Sequence, residues 1–149
     1  MSADTVADPR SLPSRLGRDE GATTSLLEIS NAMVRLYKGA FGRGPTKART
    51  MLAAPDTVVD VLEDALNVAE RTMLGLGEID RLREYRLVVQ QALEEPARSV
   101  VEGALGRRTL AYITGFDPRR GVAISVFTLE PTAVVNGGHG AAVRGGELR

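Results

Sequence analysis

Between Leu26 and Asp64 the apolar residues change period, and that change limits the chain to a fold that mixes helix with sheet. Leu26, Ile29, Met33, Leu36 and Tyr37 recur at the three-to-four-residue spacing of one helix face. The stripe ends near Phe41, before Gly42, a residue type that suits a helix stop. Ser25 and Glu28 stand at capping-box spacing, so the helix is expected to begin at "SLLE". From Lys47 the period falls to two. Lys47, Arg49 and Met51 share one face, then Val58, Asp60, Leu62 and Asp64 another, with the turn composition "AAPD" between the two segments. A β-hairpin closing around Ala53 to Asp56 would set Met51 opposite Val58 and Arg49 opposite Asp60.

The helical period then returns. Asn67 and Glu70 repeat the cap spacing and open a short helix, "VAERTMLGL", that stops around Gly75 and Gly77. A long helix follows from about Glu78, with Ile79, Leu82, Val89, Leu93, Ala97, Val100 and Ala104 in phase. Pro96 falls inside that run and predicts a kink or tight break at Glu94–Glu95. Gly106 closes it. "RRTLAYIT" and "GVAISVFTL" flank "GFDPRRG" as a second hairpin. The order α-β-β-α-α-β-β predicts an α+β fold, a two-layer sandwich whose four-stranded sheet is antiparallel or mixed. Residues 1–24 and the Gly-rich residues 132–149 read as disordered arms around a single domain, residues 25–131.

Composition removes several function classes. Across 149 residues, Lys plus Arg and Asp plus Glu both number 19, so no overall field draws nucleic acid or an anionic membrane. The six Phe and Tyr fall mostly in apolar phases, leaving no stacking platform for bases, and no nucleic-acid partner is expected. There is no cysteine, which excludes disulfides and thiolate chemistry. No apolar run approaches the ~20 residues of a membrane helix, and the polar N-terminus has no signal-peptide core. The expected place is the cytoplasm, without membrane insertion.

Catalytic sets are sparse. The one histidine, His139, lies in the Gly-rich tail, away from any serine of the fold. Asp60, Glu63 and Asp64, with Glu70 after them, could hold a hard cation or do acid–base work. The preferred reading makes them solvated strand-face acids balancing Lys47 and Arg49. No cofactor, no metal and no catalytic residue is assigned, and no enzyme is expected. The stretch "FGRGPTKART" resembles a phosphate cradle but lacks P-loop spacing, leads from a helix C-terminus into a strand, and loses an N–H at Pro45. What remains is a turn with a candidate anion patch of Arg43, Gly44, Lys47 and Arg49, suited to a carboxylate, bicarbonate, phosphate or nucleotide.

"EISNAMVRLYKGAFGRGPTKART" (Glu28 to Thr50), "VVDVLEDALNVAERTML" (Val58 to Leu74), "GALGRRTLAYITGFDP" (Gly103 to Pro118) and "VAISVFTLEP" (Val122 to Pro131) together resemble the bacterial MpsC, or YbcI-like, family. The resemblance implies a component of a sodium-translocating, membrane-potential-generating system, with a genomic link to inorganic-carbon uptake. It implies an accessory or regulatory protein with a membrane transporter complex as partner, and it carries over no catalytic residue. Where members carry the domain twice, pairing two single-copy chains would recreate the doubled arrangement, so a homodimer is expected. The alternative function is a small-anion or nucleotide sensor using the patch after the first helix.

Overall fold

The computed structural model describes residues 13–132. Within them the order is α1 (Pro13–Phe41), β1 (Lys47–Ala54), β2 (Thr57–Glu63), α2 (Val68–Gly75), α3 (Ile79–Ala92), α4 (Glu94–Leu105), β3 (Thr109–Asp117) and β4 (Val122–Leu129). The strands form one sheet in the order β1-β2-β4-β3, antiparallel at every junction. The α+β sandwich expected from the two periods is the observed fold.

The first helix departs from expectation at its start. It begins at Pro13, not at Ser25, so residues 13–24 are helical rather than an arm. Proline suits a helix's first position. Adding a residue to an existing helix is cheap compared with nucleating one, so a polar stretch can extend it without a packed stripe. Ser25 is thus an interior residue. The stripe itself is real: Ile29, Met33, Tyr37 and Phe41, four residues apart, are all buried. Gly42, with φ +78, ends the helix by donating to the Lys38 carbonyl at 2.9 Å. Residues 1–12 and 133–149, with the expectations placed on them and His139, lie outside the described residues.

The first hairpin forms, but its register differs by one residue from the expected one. Met51 pairs with Val59, Arg49 with Val61 and Thr50 with Asp60. A bulge between Leu52 and Ala54 absorbs the extra residue, so Ala54 faces Thr57 across the turn. The consequence reaches beyond the turn, because a one-residue slip exchanges the faces of a strand. Ala48 and Thr50 turn toward the helices beside Val58, Asp60 and Leu62, whereas Lys47, Arg49 and Met51 turn outward. The outer sheet face keeps Met51, Ile113 and Ile124 exposed.

The expected long helix is two helices. α3 and α4 meet at Leu93, one residue before the expected break, and Leu93 donates to the carbonyls of Val89 and Gln90. Pro96 lies in the first turn of α4, where its missing N–H would have had no helical acceptor. Leu82, Ala97 and Val101 are buried in one phase across the break. Arg86 and Gln90, in phase with them on α3, are fully buried as well. The Asn67–Glu70 capping box forms as the spacing predicts, and Gly106 closes α4 with φ +63.

Candidate functional site

The glycine turn is held by its own contacts. The Arg43 guanidinium donates to the Asp64 carbonyl (2.7 Å), the Leu66 carbonyl (2.9 Å) and Asp64 Oδ2 (2.8 Å). Thr46 and Arg71 also hold the Asp64 carboxylate, and this residue has a positive φ of 53, in the left-handed region. The hydrogen bond from Arg43 first, then that from Thr46, holds the Asp64 carboxyl below the usual carboxylate range. Gly44 lies against α1: a Cβ there would meet the Val34 carbonyl oxygen at 3.2 Å and Lys38 Cβ at 3.3 Å. Lys47 points outward opposite Glu63, and Arg49 reaches Glu63 Oε1 at 3.5 Å. The residues of the candidate anion patch thus have structural neighbours: Arg43 clamps the β2–α2 loop, Gly44 allows a close approach, and Lys47 and Arg49 lie with Glu63 on the outer sheet face.

The four acids separate just as clearly. Glu63 and Asp64 face the cations above. Glu70 is buried and takes two hydrogen bonds from Arg86, at 2.5 and 2.9 Å, while its Oε1 also accepts the Asn67 N–H that completes the cap. Asp60 is not the solvated strand-face acid that its spacing suggested. It is fully buried on the helix-facing side, in the same strand phase as Val58 and Leu62, and its partner on β1 is Thr50 instead of Arg49.

Asp60 belongs to a row that crosses the whole sheet. Thr50, Asp60, Ser125 and Thr114, one from each strand, are successive cross-strand partners. Thr50 donates to Asp60 Oδ1 at 2.9 Å and is itself hydrogen-bonded to Ser30 of α1 at 2.7 Å. At the other end Gln90 of α3 donates to Thr114 Oγ1 and to the Gly115 carbonyl (3.2 Å), while the Tyr112 hydroxyl donates to the Gln90 carbonyl. Tyr37 of α1 lies over the middle, where its hydroxyl feels Ser125, Thr114, Tyr112 and Asp60. Tyr37 Oη, Asp60 Oδ2, Gln90 Oε1 and Ser125 Oγ are buried there with no hydrogen bond of normal length, although the Tyr37 hydroxyl lies close enough to those of Ser125 and Thr114 to be influenced by them.

Burial dominates the electrostatics of this row. Desolvation pushes the Asp60 carboxyl up to about 7, against the smaller opposing effect of the Thr50 hydrogen bond. Burial likewise raises the Tyr37 and Tyr112 hydroxyls. The row opens toward a groove of about 410 Å³ between α1 and β1, lined by Leu26, Ser30, Ala48 and Thr50 among others. A second hollow, of about 470 Å³, lies at the far edge beside Tyr112 and Thr114. A buried acid between hydroxyls can store a proton or neutralise a cation. Among the described residues no group of three or more His, Cys, Asp and Glu is placed to hold a metal ion. Periodicity alone did not point to Thr50, Ser125 or Gln90, although each is a polar residue in an apolar phase.

A protein-family model described as "Na+-translocating membrane potential-generating system (MpsC)" matches residues 24–131, most of the chain. No curated protein and no solved structure matches.

Proposed function

This chain belongs to the MpsC family, and on that premise we propose that it is a non-enzymatic, cytoplasmic accessory or regulatory subunit of a sodium-translocating membrane system, with a link to inorganic-carbon uptake as one form of it. The family match over residues 24–131 carries the reading. No helix of the described residues is long and apolar enough to cross a membrane, so the reading assigns the ion path to partner chains. A homodimer is part of it, and sedimentation equilibrium measures that directly.

The anion-sensor reading ranks second, because an incoming anion at Arg43 or Arg49 must displace Asp64 or Glu63. Affinity purification of the tagged full chain from its own host, with and without crosslinking, tests the first reading. Recovery of integral-membrane transporter subunits supports it. Recovery of no membrane protein under either condition overturns it.

A further inference from the structure

We propose that the polar row is a binding site for one small monovalent cation, with the Asp60 carboxylate as its charged ligand and Ser125 and Tyr37 supplying neutral oxygens. The site stands on the arrangement of atoms, independently of the accessory role.

Orphaned atoms provide the first argument. Among the described residues, the buried side-chain oxygens without a partner are those of Tyr37, Asp60, Gln90 and Ser125, and all four belong to this layer. The orphaned nitrogens, on Arg86, Arg98 and Arg107, are all in guanidinium groups. Orphaned buried polar groups are uncommon and point to a bound ion or water. Asp60 Oδ2 and Gln90 Oε1 can only accept, and the Tyr37 and Ser125 hydroxyls offer lone pairs beside their protons, a set that suits an electropositive occupant.

The geometry is also oriented. Asp60 Oδ1 is occupied by Thr50, which leaves Oδ2 as the open oxygen. Ser125 is the cross-strand partner of Asp60, and the Tyr37 hydroxyl feels both. Ser30 donates to Thr50 and Thr50 to Asp60, so two hydroxyls in series fix the carboxylate. Gln90 Oε1, beside Thr114, is the next open oxygen along the row.

Charge and ligand type set the class of ion. The ligands are hard oxygens, with neither sulfur nor imidazole, which suits alkali cations better than transition metals. One carboxylate balances one positive charge, whereas divalent-cation sites commonly gather several acids. Among the described residues no guanidinium or ammonium group donates to Asp60, and a buried ionised carboxylate needs such compensation. The groove lined by Ser30 and Thr50 reaches the outer end of the row at the α1–β1 edge.

The test is thermal unfolding of the full chain well above neutral pH, in lithium, sodium, potassium or choline chloride at constant ionic strength. A saturable rise in Tm with sodium or lithium over choline is expected. Asp60→Asn and Tyr37→Phe abolish or strongly weaken the rise while staying folded. Thr50→Val, which removes the hydrogen bond that positions the carboxylate, weakens apparent cation affinity about ten-fold. If Asp60→Asn does not fold, Tyr37→Phe and Ser125→Ala carry the comparison. Equal Tm in all four salts overturns the proposal, as does an undiminished sodium effect in Tyr37→Phe and Ser125→Ala.

Discussion

Arg86 and Glu70 form an ion pair with side-chain exposures of only 0% and 2%, and the Arg86 guanidinium stacks 3.6 Å from the centre of the Phe41 ring. Phe116 lies on this group as well, at 4.9 Å, and Arg86 also donates to the Ala65 carbonyl. One side chain of α3 therefore ties together the end of α1, the loop after β2, the cap of α2 and strand β3. Removing one member leaves the other charge buried without its partner, which costs about 3–5 kcal/mol.

Arg86→Met is accordingly expected to lower unfolding free energy by about 3–5 kcal/mol in urea titrations. Arg86→Met with Glu70→Gln should recover at least half of that loss. The glutamine is neutral yet still offers an oxygen to the Asn67 N–H. Losses that simply add in the double variant would show that the pair is not energetically coupled.

Asp60 gives the chain a pH dependence of definite sign. Its carboxyl moves from an ordinary 3.8 to about 7 through burial, so the folded state holds a proton that the unfolded chain releases earlier. Stability from this group is full below about pH 4 and is lost as pH rises to about 7, by at most ~4 kcal/mol. The row's hydroxyls, from Ser30, Thr50 and Ser125, face this acid without charge, and Tyr37 and Tyr112, which feel it, stay neutral over that range. In choline buffers, urea midpoints of the wild type should fall between pH 4 and 7 relative to those of Asp60→Asn. Parallel profiles would refute the assignment.

Short-range chemistry in the sequence foretold much of this fold. The stripe from Ile29 to Phe41, the Asn67–Glu70 cap and the Gly106 stop each depend on residues within a few positions of one another. The register of the first hairpin was not legible, because one bulged residue near Ala53 leaves the alternation on both strands intact while shifting which residues meet. That shift decides whether Asp60 faces Arg49 or Thr50, and so whether a guanidinium or a hydroxyl meets its carboxylate. The start of α1 was hidden because periodicity reports a packed face rather than helicity. Arg86 and Gln90 interrupt the apolar stripe of α3 at in-phase positions, as Asp60 interrupts that of β2 between Val58 and Leu62, and these are local signs of buried polar groups.

Asn67 does two jobs that an aspartate cannot share. Its Oδ1 accepts the Glu70 N–H at 2.8 Å, and its Nδ2 donates to the Phe41 carbonyl at 3.0 Å, near the end of α1. Asp and Asn are usually equivalent N-caps. Here Asn67→Asp should destabilise by about 1–2 kcal/mol, because a carboxylate replaces the donor against a helix C-terminal carbonyl. A chemical-denaturation curve coincident with that of the wild type would contradict this.

Two glycines near the end of α1 should respond to alanine in opposite directions. At Gly44 the new methyl would lie 3.2 Å from the Val34 carbonyl oxygen and 3.3 Å from both Lys38 Cβ and Val34 Cγ1. Those atoms belong to or adjoin a helix backbone and yield little, so Gly44→Ala should lose about 1–3 kcal/mol. At Gly39, inside the helix, nothing lies within 4 Å of the added carbon. Gly39→Ala should therefore gain about 0.5–1 kcal/mol by restricting the unfolded chain. If Gly44 served chiefly to bring backbone amides to an anion, Gly44→Ala would leave Tm unchanged without ligand and reduce only an anion-induced rise. A fall in Tm without added anion identifies the close approach to α1 as its role.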